Sequence, residues 1–313
     1  MSVSFCGLEL AHRVINGSGT FDAIAARIAF GPALEDEFPF AAYVSKTITL
    51  EPREGNPPPR LWEAPGGLIN SIGLPNKGLD AYLSEDLPQL ALLTRGATAG
   101  AVEDRPGSSA RPVPLITNVM GSSAEEFCSL VEACASRPEI AALELNVSCP
   151  NVVTGLDIGA DPRQLEQVVR ATRATTSKPL IVKLTPNTAD VAACAQAAEA
   201  GGADAVSLIN TLRALALAPG EGARPWLGGG TGGLSGPAVR AVALAQVAGV
   251  AARVTIPVVG MGGVQTAAHA RELVDVGATL VAVGTANFCD PAAAARIACG
   301  LGEMAATSSR SPA

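Results

Sequence analysis

The sequence predicts an α/β fold, a TIM (β/α)8 barrel of parallel strands with its active site at the C-terminal strand ends. Short apolar runs alternate with alanine-rich helical runs along the chain, the order expected of buried parallel strands covered by helices. Roughly eight such units are present, which is the number that closes into a barrel. The alternative is an open dinucleotide-binding sheet, but the turn at 17–22 lacks the third glycine of G-x-G-x-x-G.

Eight candidate strands carry this prediction. Each is a short run rich in aliphatic residues and bounded by polar or turn-forming residues. The strands are Arg13–Asn16, Ala42–Thr47, Pro114–Val119, Ala142–Val147, Leu180–Leu184, Ala205–Asn210, Pro257–Gly260 and Leu280–Val283. The helices between and after them are Ser123–Ala135, Pro162–Thr175, Thr188–Ala200, Pro237–Val250, Thr266–Val276 and Pro291–Cys299.

Long segments interrupt the alternation. Residues 51–83 are too long for an ordinary βα loop, and loops of that length are usually functional or disordered. Residues 212–233 contain the glycine run 228–233, which predicts a lid or crossover with close backbone approach or hinge motion. The small and polar run 96–111 predicts a mobile surface excursion.

The composition fits one large domain. Hydrophobic residues make up 48% of the 313 residues and charged residues only 16%, so the chain can bury an extensive core. Aromatic residues are 4%, which predicts tight aliphatic packing. We expect a single domain over 1–302 and a flexible tail over 303–313, because the tail is polar and rich in small residues.

Charge and cysteine content exclude several classes of protein. A net charge of −7 without a basic cluster argues against nucleic-acid binding. No apolar window is long enough for a membrane span, and the N-terminus does not resemble an export signal. The seven cysteines are odd in number and contain no C-x-x-C pair, so we expect no disulfide framework or iron–sulfur site and a reducing cytoplasm.

Polar residues end most of the predicted strands, where a barrel of this kind places its chemistry. These residues are Asn16, Lys46, Asn118, Asn146, Lys183 and Asn210. One such residue would usually be a cap or a solvated end. Six at equivalent points of successive units predict a polar site at the barrel mouth.

Glycine-rich turns follow late in the chain, at 232–237, 260–263 and 284–287. Backbone N–H groups at such turns and at helix N-termini bind phosphate, and the loops after the seventh and eighth barrel strands are the usual place. Together the three turns predict a phosphate-bearing cofactor. No G-x-x-x-x-G-K-[ST] motif is present, which disfavours a nucleoside triphosphate.

The segment 143–151 begins as a strand and ends in the polar run N-V-S-C-P-N, in which Cys149 is the reactive group. This thiol can be a nucleophile, a general base or a structural group. Covalent cysteine catalysis normally recruits a histidine, but the chain has only His12 and His269, and both are predicted to be solvated or on a helix face. Proton transfer by Cys149 is therefore the favoured interpretation. No His/Asp/Glu spacing predicts a metal site.

With these residues placed, the sequence resembles the class 1 dihydroorotate dehydrogenases over about Val3 to Gly300. The sharpest motif is Asn146-Val147-Ser148-Cys149-Pro150-Asn151, which matches the cysteine loop of that family, and the second is Asn70-Ser71-Ile72-Gly73-Leu74. The segments 233–237 and 283–288 resemble the corresponding segments of subclass 1B rather than those of the fumarate-dependent subclass 1A.

The resemblance implies a mechanism and a set of residues. Cys149 removes a proton from C5 of dihydroorotate while hydride passes from C6 to the flavin of FMN, with Lys46 as the second catalytic residue. The implied substrate-binding residues are Lys46, Asn70, Gly73, Leu74, Asn146, Asn210 and Thr211. The implied FMN-binding residues are Gly17, Ser18, Lys46, Thr47, Asn118, Asn146, Lys183, Ile209, Gly236, Gly262, Gly263, Gly284 and Thr285.

The resemblance also implies a partner. In subclass 1B a second subunit with FAD and an iron–sulfur cluster passes electrons to NAD, and here it would be a separate polypeptide in a heterotetramer, with a homodimer as the alternative. Two other functions stay open at this point. One is a dihydropyrimidine or related FMN oxidoreductase, and the other is a non-catalytic barrel that binds a phosphorylated ligand.

Overall fold

A computed structural model of the chain describes residues 2–31, 34, 38–94, 112–147, 158–220 and 222–303. Strands are numbered β1 to β14 in chain order within these ranges. The parallel sheet consists of β3 (Val14–Asn16), β4 (Tyr43–Val44), β7 (Leu115–Val119), β8 (Ile140–Asn146), β9 (Leu180–Lys183), β10 (Ala205–Leu208), β13 (Val258–Met261) and β14 (Leu280–Val283). Its order is β3-β14-β13-β10-β9-β8-β7-β4, which confirms the predicted barrel.

The barrel seam lies between β3 and β4, which share no strand ladder in the described part of the chain. Two contacts join the edges instead. The Ala41 N–H donates to the Val14 carbonyl at 3.0 Å. The Asn16 side chain donates to the Val44 carbonyl and accepts from the Val44 N–H, both at 2.8 Å. A side-chain amide therefore takes the place of a peptide group at the seam.

Helices cover the outside of the barrel. They are α1 (Ala23–Phe30), α2 (79–94), α3 (Ala124–Ala135), α4 (Pro162–Arg173), α5 (Val191–Ala200), α6 (Arg240–Ala251), α7 (Ala267–Asp275), α8 (Ala286–Cys289) and α9 (Ala293–Gly300). Side chains of Ser123, Asp161, Asp190 and Thr266 cap the N-termini of α3, α4, α5 and α7. A side-chain oxygen at this position satisfies a backbone N–H that the helix leaves free.

Three helices were not expected from the sequence, namely α1, α2 and the four-residue α8. Helix α1 leaves Ile28 and Phe30 exposed, so it lacks the clear apolar stripe that signals a surface helix. Helix α2 lies partly within the predicted interruption 51–83. It contains a π-turn over Tyr82–Asp86, just before Pro88, which has no N–H to give to the helix.

A β-hairpin closes the N-terminal end of the barrel. Strands β1 (Val3–Phe5) and β2 (Leu8–Leu10) pair antiparallel. Phe5 and Leu10 are each 1% exposed and pack against inward-facing barrel residues such as Ile15 and Ala42. The barrel is therefore filled and sealed at this end, and its ligands have access from the opposite one.

A second, antiparallel sheet is built from the two long interruptions. It has the order β11 (Leu212–Ala214), β12 (Gly232–Ser235), β6 (Gly67–Asn70), β5 (Leu61–Ala64). We call it the covering sheet. The two interruptions are thus paired to each other, which the sequence did not predict. The glycines serve close approach, because a Cβ atom on Gly233 would lie 1.9 Å from the Thr211 hydroxyl oxygen.

The prediction that His12 is solvated or on a helix face is wrong. His12 is 3% exposed rather than solvated, and its Nδ1 accepts a hydrogen bond from the Val14 N–H at 3.2 Å. Burial lowers the pKa of His12 to about 4, against a smaller opposing effect of Glu303. His269 lies on α7 as predicted, and its backbone N–H donates to the capping Thr266 hydroxyl.

The ends of the domain prediction fall partly outside the described residues. Glu303 is described and forms an ion pair with Arg13, whose backbone N–H it also accepts at 2.9 Å. Residues 304–313 and the predicted excursion 96–111 lie outside the described ranges. Among the described helices, none has the length and apolar character required to cross a membrane.

Candidate active site

The mouth of the barrel is lined by short polar contacts between neighbouring strand ends. The Ser18 hydroxyl donates to the Ser45 carbonyl at 2.8 Å and lies 3.3 Å from the Thr47 hydroxyl. The Asn146 amide donates to the same Thr47 oxygen at 3.3 Å. Lys183 is the register partner of Asn146 across β8 and β9. The structure thus brings four of the predicted residues to one place.

A buried polar cluster lies one layer deeper. Glu144 on β8 is 3% exposed, and its two carboxylate oxygens accept from the Asn118 amide and, at 2.6 Å, from the Ser207 hydroxyl. The Asn118 backbone N–H donates to the Ser45 hydroxyl at 3.1 Å. The Asn118 side-chain oxygen is buried and has no hydrogen-bond partner among the described residues. An unpaired buried acceptor is costly, so this atom is suited to a ligand donor.

The two predicted lysines lie in opposite environments. Lys183 is buried, and burial lowers the pKa of its ammonium group while the charge of Glu144 works in the opposite direction. Lys46 is exposed, although its neighbours throughout 41–49 are buried. One lysine is therefore held inside the barrel, and the other is accessible at its rim.

The glycine turns converge on one corner of the mouth. Gly236, Gly262 and Gly263 all have positive φ, at 93°, 134° and 70°. A Cβ on Gly263 would lie 2.7 Å from the Arg240 Cβ and 3.0 Å from the Gly236 carbonyl oxygen. The corner is completed by Thr285, whose hydroxyl donates to Ser235 at 2.9 Å.

Two more predicted residues border this corner. Gly17 donates its N–H to the Val283 carbonyl at 2.9 Å, and a Cβ on it would be 3.8 Å from Gly284. Ile209 is buried, and its Cγ1 would lie 3.4 Å from a Cβ on Gly262. A Cβ on Gly17 would make only ordinary contacts. Close packing requires glycine instead at Gly262, where a Cβ would lie 2.6 Å from the Ala243 Cβ, and at Gly263. Glycine backbone N–H groups at such a turn can bind an anion.

The covering sheet gathers predicted substrate-binding residues from two distant segments. The Asn70 amide donates to the Gly233 carbonyl at 3.2 Å, and Gly233 packs against Thr211. Asn210 accepts the Thr211 N–H through its side-chain oxygen at 2.8 Å. Asn70 and Thr211 are thus joined through one glycine.

The turn after Asn70 is conformationally unusual. Gly73 and Leu74 have positive φ, at 77° and 55°. A leucine in this region is strained, and such residues cluster at ligand-binding sites. A Cβ on Gly73 would lie 2.4 Å from the Asn56 backbone nitrogen, so the turn is also tightly packed.

Cys149 lies outside the described residues, together with Ser148, Pro150 and Asn151. The described residues on either side are joined, because the Gly159 N–H donates to the Val147 carbonyl at 3.1 Å. Val147 directly follows β8 at the barrel mouth. The described chain on both sides of residues 148–157 therefore lies at the mouth.

Sequence reasoning missed Glu144, Ser207, Ser45 and Ser235. The available signal for Glu144 was an acidic residue inside an otherwise apolar strand, since a buried carboxylate requires donors from its neighbours. The serines carried no comparable signal, because serine is common in any strand or turn.

The residues of the mouth fit a flavin mononucleotide. The glycine corner offers backbone N–H groups where a side chain would clash, and the polar mouth contains an unpartnered buried acceptor and a buried lysine. An anionic phosphate and a polar ring with its own N–H donor match these features. In the described residues no group of His, Cys, Asp and Glu side chains is arranged to hold a metal ion.

Comparisons with known proteins agree with this geometry. A family model described as dihydroorotate dehydrogenase matches residues 1–304. A relative from Geotalea daltonii is 42% identical over 305 residues, covering 96% of this chain and 92% of the relative. A relative from Trichlorobacter lovleyi is 43% identical with the same coverage. Both are named dihydroorotate dehydrogenase B (NAD(+)), catalytic subunit.

A solved structure supports the fold. The dihydroorotate dehydrogenase of Eimeria tenella, crystallised with ferulenol, superposes with a TM-score of 0.75. It is 22% identical, and the match covers 96% of this chain and 83% of that one.

Proposed function

This chain belongs to the dihydroorotate dehydrogenase family, and from that premise we propose that it oxidises dihydroorotate to orotate in pyrimidine biosynthesis. The observation that carries the proposal is identity of 42–43% over 96% of the chain with catalytic subunits of the NAD-linked enzyme. The polar barrel mouth and the glycine corner are consistent with it. The proposal favours the dihydroorotate enzyme over a dihydropyrimidine oxidoreductase and over a non-catalytic barrel.

The family is flavin-dependent, and the proposed cofactor is FMN. Gly236, Gly262, Gly263, Gly284 and Thr285 would hold its phosphate through backbone N–H groups and a hydroxyl. The remaining cofactor contacts would come from the mouth and from the rim. They are Gly17, Ser18, Lys46, Thr47, Asn118, Asn146, Lys183 and Ile209. When bound, FMN supplies the acceptor for the hydride that leaves the substrate.

The protein residues bind the substrate and accept its proton. Dihydroorotate carries a carboxylate and ring N–H and C=O groups, and side-chain amides can pair with each of them. Asn70, Asn146 and Asn210 would supply these amides, with Gly73, Leu74 and Thr211 in contact beside them. Lys46, exposed at the rim, would contact substrate and cofactor as the second catalytic residue. Cys149 would take the proton from C5 as general base.

The electron acceptor follows from the relatives. Their name, catalytic subunit of an NAD(+)-linked enzyme, implies a second subunit. We propose a separate polypeptide with FAD and an iron–sulfur cluster that passes electrons to NAD, in a cytoplasmic heterotetramer. None of the described cysteines forms a disulfide bond, and the chain has no C-x-x-C pair of its own.

The first prediction tests Cys149. The Cys149→Ala variant is expected to bind FMN normally and to be reduced by dihydroorotate about 10² to 10⁴ times more slowly, because a general base contributes about that factor. The measurement is anaerobic stopped-flow bleaching of the flavin absorbance. Cys149→Ser is the matched variant and should retain part of the rate, with its optimum at higher pH, since a hydroxyl is the weaker acid.

Three outcomes would count against the proposal. Unchanged reduction in Cys149→Ala would remove the base assignment. Bleaching by dihydrouracil but not by dihydroorotate would favour the dihydropyrimidine enzyme. Purified chain that retains no absorbance at about 450 nm after FMN is added and the unbound flavin is removed would favour the non-catalytic barrel.

A further inference from the structure

Glu144 has no role in the reaction as described so far. It is a nearly fully buried carboxylate at 3% exposure, between Leu143 and Leu145, which are both fully buried. Burying such a group is unfavourable unless each oxygen is hydrogen-bonded. Here each oxygen has its own donor on another strand of the barrel, Asn118 on the adjacent β7 and Ser207 on β10, which lies beyond β9. The residue is therefore held by three strands of the barrel.

The carboxylate dictates the orientation of the Asn118 amide. A carboxylate accepts hydrogen bonds, so the NH2 group of Asn118 must face it and the carbonyl oxygen must face away. That carbonyl oxygen is the buried atom without a partner among the described residues. The Asn118 backbone is fixed as well, by its bond to the Ser45 hydroxyl at 3.1 Å. Both ends of the residue are thus set before a ligand arrives.

We infer that Glu144 is a positioning residue that fixes the Asn118 amide so that its oxygen accepts a hydrogen bond from an N–H of the cofactor ring. The inference rests on the proposed function, because it requires a flavin at the barrel mouth. Oxidised FMN has one ring N–H, at N3, so this group is the donor. Ser207 donates to the second carboxylate oxygen and leaves the first to Asn118.

The test compares FMN with 3-methyl-FMN, which lacks that donor. The full chain freed of flavin is titrated with each compound, and the ratio of the two dissociation constants is measured. In Glu144→Gln the side chain keeps its size, but it can present either an oxygen or an NH2 group to Asn118. The Asn118 amide can then flip and exchange its oxygen with its NH2 group. We therefore expect the preference for FMN over 3-methyl-FMN to fall about five- to tenfold, the effect of losing one hydrogen bond.

Two further variants control for structural damage. Asn118→Ala removes the acceptor without altering the carboxylate and should lower the preference by a similar factor. Ser207→Ala leaves the carboxylate facing Asn118 and should keep the wild-type preference. The ratio of the two dissociation constants is informative because loss of the Glu144 charge beside Lys183 changes the affinity for both flavins alike and cancels in the ratio.

The outcomes separate this inference from the proposed function. If Glu144→Gln weakens both flavins equally and leaves the ratio unchanged, Glu144 is a structural residue only and the inference is wrong. The same holds if Asn118→Ala lowers the preference and Glu144→Gln does not. If the wild-type chain binds neither flavin, the proposed function itself fails, and the inference fails with it.

Discussion

At Gly263 the backbone conformation and the close packing both exclude a side chain. Its φ is 70°, and a Cβ would lie 2.7 Å from the Arg240 Cβ. In Gly263→Ala the corner must open, so we expect FMN to bind at least about tenfold more weakly, the effect of losing about 1.4 kcal/mol of phosphate contacts. Flavin titration of the purified variant measures this.

Gly19 provides the matched control. It has nearly the same φ, 73°, but a Cβ on it would have no atom within 4 Å. Gly19→Ala therefore carries the cost of the left-handed backbone, about 1 kcal/mol of stability, without the clash. Equal loss of FMN affinity in both variants would show that backbone strain, and not the packed corner, governs binding.

Single residues show what a sequence can and cannot reveal about a site. The polar strand ends and the glycine turns were predictable, because barrel topology assigns them to one face. Asn16 belonged to the same pattern, yet its amide closes the seam with Val44. Glu144 was missed because its partners Asn118 and Ser207 are 26 and 63 residues away in sequence.

At the scale of the element, the seam between β3 and β4 is the one junction of the described barrel where neighbouring strands share no strand ladder. Asn16→Ala removes three hydrogen bonds, one with the Gly17 carbonyl and two with Val44, and leaves the buried Val44 N–H and carbonyl unpaired. We expect the free energy of unfolding to fall by about 2–6 kcal/mol, since each of the two unsatisfied buried groups costs about 1–3 kcal/mol. Denaturant titration followed by circular dichroism measures the loss.

Ser136→Ala is a suitable control, because its hydroxyl bonds only the Ala133 carbonyl at the exposed end of α3. It should change stability by less than about 0.5 kcal/mol. If Asn16→Ala were equally mild, the Ala41–Val14 backbone bond would be sufficient to hold the seam.

The elements of the barrel were predictable to different degrees. All eight barrel strands were found from the sequence, because buried parallel strands are continuous apolar runs. The covering sheet and the N-terminal hairpin were missed. Strands β1, β2 and β5 contain exposed positions and so are not continuous buried runs. In the covering sheet the pairing of β6 with β12 also joins positions far apart in the sequence. No local pattern can signal such a pairing.

The stability of the whole molecule should depend on pH through His12. Its folded pKa, about 4, is below the unfolded value of 6.5, so the unfolded chain binds the proton first as the pH falls. The contribution of His12 is complete above pH 6.5 and is lost as the pH falls from 6.5 through 4. The loss is about 3 kcal/mol. Denaturant titrations across this range measure it.

His12→Gln should flatten this part of the pH profile, because glutamine does not titrate. A slope that survives in His12→Gln would mean that other groups cause the acid sensitivity.

The covering sheet has a consequence for folding of the protein during its own synthesis. Its strand at 67–70 pairs with one at 232–235, so a nascent chain on the ribosome must extend past the latter before the cover can assemble. Contacts of such long range form late. Asn70 and Asn210, the amides proposed to bind the substrate, can therefore be brought together by this sheet only after most of the polypeptide has emerged from the ribosome. A prematurely terminated chain that ends before residue 232 would lack the strand that completes the sheet.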